Sequence, residues 1–138
     1  MRAKDYLNQI RLLDVMIGQR IEELEEMRAR ISVVTGIDYS KDRVQSTPES
    51  GNKQIENLVD FENGLLDLIY KETKVKHRII GEIQELNNPV YVDLLFRRYV
   101  ECHSFERIAS DMGYAYHYVC TLHGEALKEF DCKVLNYS

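Results

Sequence analysis

The 138-residue chain is 44% hydrophobic and 30% charged, enough for one domain, or a small domain with an extended appendage, and for little more. Its 23 Asp and Glu against 18 Lys and Arg leave a formal charge of -5, which excludes a protein that coats nucleic acid by charge alone. Any DNA contact is therefore expected to be local or assisted by a partner.

Charges recur every few positions in the first thirty residues, so neither a signal-peptide core nor a membrane span is expected there or later. A cytoplasmic protein with no membrane partner is the expectation. Cys102, Cys120 and Cys132 are odd in number and lack framework spacing, as reduced thiols in a cytosol would be.

From Lys4 to about Val34 the apolar residues Leu7, Ile10, Leu13, Ile17, Ile21, Leu24, Met27, Ile31 and Val34 fall at three- and four-residue steps without proline. That spacing predicts one long amphipathic helix of coiled-coil type, on the order of 45 Å if unbroken. Periodicity is lost over 35–53, where Gly36, Ser46, Thr47, Pro48, Ser50, Gly51 and Asn52 collect, and a loop is expected. The loop is long for a helix connection, so either part of it is disordered or Tyr39 and Val44 pin it to a helix.

A second train, Ile55, Leu58, Phe61, Leu65, Leu68, Ile69, Val75, Ile79, Ile83 and Leu86, predicts a second long helix stopped by Asn87, Asn88 and Pro89. Two such helices most simply form an antiparallel hairpin over 1–87. A single hairpin buries one seam per helix, so its remaining apolar stripe invites self-association. The basic run KETKVKHR at 71–78 reads as a solvated helix face, with Lys71, Lys74 and Arg78 on one side as a candidate phosphate-contacting surface.

Residues 88–138 form the second expected domain. After Pro89, a good first-turn residue, VYVDLLFRRYV predicts a helix burying Val92, Leu95, Phe96 and Tyr99. Glu101, Cys102 and His103 make a turn, and Ser104 is the N-cap of a helix through Met112. Gly113 ends it, free to take a left-handed backbone. Small Ala109, Gly113 four residues later and Val119 six after that have the spacing of a helix-turn-helix. The helix from Ala115 onward buries Val119, Leu122, Ala126, Leu127 and Phe130 and ends near residue 131, before a short disordered tail.

At LLFRRY, SFERIASDMGY and YVCTLHGEALKEF the chain resembles region 4 of bacterial sigma factors, over about forty-five residues. The longer layout, a heptad-like hairpin followed by this domain, resembles small phage and prophage proteins of Gram-positive bacteria. These stand in a domain family of unknown function beside the ArpU and RinA types of late-gene regulators. The resemblance implies an all-α, phage-encoded, sigma-like transcriptional regulator that binds double-stranded DNA through its helix-turn-helix. The hairpin would serve homo-oligomerisation, most simply as a dimer, or docking on RNA polymerase.

The sequence departs from that pattern on the reading helix. Sigma region 4 projects Arg, Glu and Gln into the major groove, whereas Tyr116, His117, Tyr118, Cys120 and Thr121 occupy the stretch here, none a permanent cation. From Asn87 to Ser138 five Lys or Arg stand against seven Asp or Glu. In the DNA reading Arg97, Arg98 and Arg107 hold phosphates while Tyr114, Tyr116, His117, Cys120 and Thr121 face the DNA, and dimerisation or polymerase supplies the missing affinity. The other reading is an interaction module, such as an anti-sigma or polymerase-binding factor, in which Tyr116 and Tyr118 are buried in an interface.

Neither an enzyme nor a cofactor is expected. Cys120, His123, His117 and the Cys102-His103 pair could be imagined as zinc ligands, but no paired Cys-x-x-Cys is present and no metal site is expected. No glycine-rich phosphate loop occurs, and a chain of long helices has no nucleophile with an orienting group.

Overall fold

Proline-free runs with three- and four-residue apolar spacing become helices wherever the chain is described. The computed structural model describes residues 2–35 and 49–136, and these are all-α: α1 (Ala3–Thr35), α2 (Glu49–Gln84), α3 (Pro89–Leu95), α4 (Phe105–Met112) and α5 (Tyr116–Lys133). The expected contacts of Tyr39 and Val44 lie outside the described residues. α2 begins at Glu49, so residues 49–53, expected in the loop, are helical. Once the periodic stretch has nucleated, extending it costs little, and Gly51 alone subtracts only about 1 kcal/mol.

α2 stops three residues before the expected Asn87-Asn88-Pro89 breakers, two of which start the next helix. Beyond Gln84 the chain turns at Glu85, and Asn88 caps α3 by accepting the Val90 N–H on its side chain at 2.9 Å, with Pro89 in the first turn. α3 runs on into a π-helical turn, Phe96–Val100, closed by the Glu101 N–H donating to the Phe96 carbonyl at 3.1 Å. The burial of this segment differs from the expected pattern. Leu94, Leu95 and Tyr99 are buried, while Val92 and Phe96 are only half-buried. Leu94 is claimed by a second apolar cluster on the other side of the helix, which a one-face pattern does not foresee.

The chain divides into two compact units, Met1–Asp14 with Lys74–Ser138, and Val15–Thr73. The sequence puts the boundary at 87/88, but the division runs through both long helices. The reason is apolar: Ala3, Leu7 and Ile10 from the start of α1, and Ile79, Ile83 and Leu86 from the end of α2, share one buried cluster with Leu95, Tyr99, Ala126 and Phe130. Fully burying a side chain such as Phe130 or Leu7 is worth about 1.5–3 kcal/mol. The carboxyl-terminal helices therefore fold around the ends of the long ones.

Polar bonds tie the same unit. The Ala3 N–H donates to Asp131 Oδ1 at 2.8 Å, Tyr6 bonds Glu82, and Lys76 pairs with Asp14. Burial and the Glu82 carboxylate push the Tyr6 hydroxyl pKa up. Val134 and Leu135 close the unit, both donating backbone N–H groups to the Phe130 carbonyl and packing on the first cluster. The chain past residue 131 is thus ordered to Asn136, where a disordered tail is the sequence expectation, because apolar burial holds it.

In the unit Val15–Thr73, Leu24, Ile31 and Leu65 are buried, together with Glu62. Arg28 Nε faces the Glu62 carboxylate at 3.3 Å, and Arg20 pairs with Glu72. A carboxylate this buried persists only with a cation beside it. Ile21, Phe61, Leu66, Leu68 and Tyr70 stay exposed.

Candidate nucleic-acid interface

α4 and α5 meet at a corner that local chemistry dictates. Ser104 caps α4, its Oγ accepting the Arg107 N–H at 3.2 Å, and Glu106 lies in the first turn, where a negative charge suits the helix dipole. Gly113 ends α4 at φ 74, and the Tyr114 N–H returns to the Ala109 carbonyl at 2.9 Å. Ala115 starts α5 without any side-chain cap. The first N–H groups of this 18-residue helix are left for solvent or a ligand.

Behind the corner sits the second cluster, Leu94, Ile108, Ala109, Val119 and Leu122, bordered by Phe105 and Met112. Ala109 is 6% exposed and Val119 fully buried. Any larger residue than Ala109 would push apart helices that Val119 holds together.

The turn before α5 and the front of that helix carry the expected groups. Tyr114, Tyr116, His117, Tyr118 and Thr121 are exposed, and Cys120 is half-buried. Tyr114 and Tyr118 meet edge to face at 5.1 Å, and Tyr116 and His117 at 6.2 Å. A hydrogen bond with Cys120, aided by the charges of Cys120 and Glu106, pushes the Tyr116 hydroxyl pKa up. Thr121 Oγ1 donates to the His117 carbonyl at 3.1 Å. Its hydroxyl is thus engaged by its own helix, and its methyl is left to meet a partner. In this chain Tyr116 and Tyr118 are not buried against the long helices.

The three arginines differ in their freedom. Arg97 Nε donates to Asp93 at 3.0 Å, and its guanidinium also lies 3.6 Å from Asp111. Arg107 is 3.6 Å from the same Asp111 carboxylate. Arg98 instead donates to the His103 carbonyl at 3.0 Å and lies 4.2 Å over the Phe105 ring. Of the basic run, Lys71 pairs with Asp67, and Arg78 lies near enough to Tyr6 to offset part of the rise that burial and Glu82 impose on its hydroxyl pKa.

Asp111 is the residue the sequence reading misses. Its pairing with Arg107 was legible as a four-residue helical step, but its approach to Arg97 requires α4 to pack on the π turn. His123, weighed in the sequence only as an imagined zinc ligand, has a packing role that its spacing does not announce. Its Nε2 lies 2.8 Å from the Tyr99 hydroxyl, its ring stacks on Tyr99 and takes Phe105 edge-on at 4.9 Å. Burial, then the Arg98 and Lys4 charges, lower its pKa to about 4. Burial raises Tyr99 to about 12. This pair joins two neutral groups and locks α5 to the π turn. Among the described residues no three His, Cys, Asp or Glu gather to hold a metal, and no helix is long and apolar enough to cross a membrane.

No protein-family model, curated protein or solved structure matches the chain.

Proposed function

We propose that the protein is a phage-type, sigma-like transcriptional regulator that binds double-stranded DNA, with α4, the Gly113 turn and α5 acting as a helix-turn-helix. The observation that carries the reading is the exposed, uncapped start of α5, set by a tight corner around Ala109, Gly113 and Val119. Uncapped N–H groups suit a backbone phosphate, and Tyr114, Tyr116, His117 and the Thr121 methyl suit a groove wall and thymine methyls. Arg98 is the arginine best placed to hold a phosphate. Arg107 must first leave Asp111, and Arg97 both Asp111 and Asp93.

In this reading the long helices form an antiparallel, coiled-coil-like hairpin that oligomerises or docks on RNA polymerase. The exposed Ile21, Phe61, Leu66, Leu68 and Tyr70 beside a core of three buried aliphatic residues favour a homodimer. Two linked half-sites bind far better than one, which offsets the weak charge of each domain.

A second reading is a protein-interaction module that has stopped reading DNA. The shared use of Asp111 by Arg97 and Arg107, beside three exposed tyrosines, favours it. Electrophoretic and anisotropy titrations with duplex from the protein's own upstream region separate the two. A DNA reader binds at low salt, loses affinity steeply as salt rises, and weakens on Tyr116→Ala without unfolding. Absence of low-salt binding at micromolar protein rejects the DNA reading, and a monomer by sedimentation rejects dimer-assisted binding.

A further inference from the structure

Where the start of α1 meets the π turn and its exit, Asn8, Arg11, Arg98, Tyr99 and Cys102 line a small pocket of about 50 Å³. It has room for a few heavy atoms, and no carboxylate lines it. We propose that this pocket binds a phosphate group.

Three features besides its size support this. Two guanidiniums share one pocket wall, and among the described residues neither has a carboxylate within ion-pair distance. Planar guanidiniums match the oxygen spacing of phosphate and hold it with charge-assisted bonds. Arg98 is also fixed beforehand, by the His103 carbonyl at 3.0 Å and the Phe105 face at 4.2 Å, so little rotamer freedom is lost on binding.

The backbone adds a second sign. Cys102 takes a left-handed conformation, φ 58, which strains a residue with a Cβ and would suit glycine better. Strain of this kind collects at ligand clamps. Local charge agrees as well: burial is the main reason His123 refuses a proton, and the Arg98 and Lys4 charges add to it. The same field attracts an anion.

The chemistry fits a diester phosphate of a DNA backbone and a free phosphate or monoester equally. The DNA source rests on the helix-turn-helix reading, and phosphate binding itself does not. Arg11→Gln is the informative variant, since Arg11 is exposed and makes no contact that holds the fold, unlike Arg98.

The test titrates the full chain with inorganic phosphate at constant ionic strength, reading the side-chain Nε–H signals of Arg11 and Arg98 by NMR. In parallel, Cys102 alkylation by iodoacetamide is followed by mass spectrometry, with Cys120 and Cys132 as internal controls. Binding gives saturable shifts in both arginines and slows alkylation of Cys102 alone, roughly threefold at about twice the dissociation constant. Arg11→Gln weakens this roughly tenfold or more. Shifts that do not saturate at tens of millimolar phosphate, or equal protection of all three thiols, overturn the proposal.

A second arm measures duplex binding against salt for wild type and Arg11→Gln. A slope of log affinity against log salt that falls by about one identifies the DNA backbone as the source. Phosphate binding with an unchanged slope identifies a free phosphate or monoester. DNA binding without phosphate binding and without an Arg11 effect sinks the pocket while the DNA reading stands, and phosphate binding without DNA binding does the reverse.

Discussion

Acid should weaken the protein through one identifiable histidine. His123 is held against Tyr99, Phe105 and the positive charges of Arg98 and Lys4, and its pKa falls from 6.5 to about 4 in the folded chain. The unfolded chain therefore takes up a proton on this ring at a pH where the folded chain refuses it. The stability that a neutral His123 contributes is complete above pH 6.5, declines as the pH falls through the interval down to about 4, and is gone below it. A shift of that size corresponds to about 3 kcal/mol at most, at roughly 1.4 kcal/mol per pH unit. Because the ring keeps some contact with solvent, about 1–2 kcal/mol is the working figure. Urea denaturation of wild type and His123→Phe from about pH 7.5 to about pH 4.5 isolates the effect, since the carboxylates titrate alike in both. Wild type should lose about 1–2 kcal/mol more than the variant over that range. Parallel curves, or an NMR titration midpoint for His123 at or above 6.5, would refute the reasoning.

Gly113→Ala should destabilise by about 1–2 kcal/mol in thermal melts, purely from the left-handed backbone, since an added Cβ meets nothing within 4 Å. An unchanged melting point would mean the turn does not hold φ 74. Leu94→Ala removes a fully buried side chain from the cluster behind the corner and should cost about 2–5 kcal/mol in chemical denaturation, with loss of α4–α5 packing. Asp111→Asn frees Arg107 and removes the weaker of the two carboxylates on Arg97, which keeps Asp93, so on the proposed DNA reading low-salt affinity should rise and the salt slope steepen by about one. Unchanged binding would remove Arg107 from the interface.

How far the sequence could be read depended on whether a feature is local. The long helices, the second ending at Gln84 a little before the expected stop at Asn87, the Asn88-Pro89 restart, the Ser104 cap and the Gly113 stop are properties of neighbouring residues. The start of α2 at Glu49 was less legible, because helix extension from a formed turn overrides weak breakers such as Ser50 and Gly51. Tyr116, His117 and Thr121 were legible as one displayed face, since Val119 and Leu122 define the opposite side of the same helix, and Tyr114 precedes it in the turn. The state of the arginines was not. Arg97, Arg98 and Arg107 look alike in sequence, yet one ends on two carboxylates, one on an aromatic face, and one on a shared carboxylate.

The sequence by itself determined that the described chain is all-α, where its long helices run, and that a small residue, a left-handed glycine and a buried valine set the corner at 109–119. Periodicity, capping and backbone freedom act within a few residues, so a linear text records them. Only the tertiary structure decided that the ends of α1 and α2 join the core of the carboxyl-terminal helices, that His123 stays neutral, and that Arg11 and Arg98 share a pocket without a carboxylate. Those outcomes depend on groups far apart in the chain competing for the same water-free space and the same counter-charges. No spacing along the sequence encodes which of them wins.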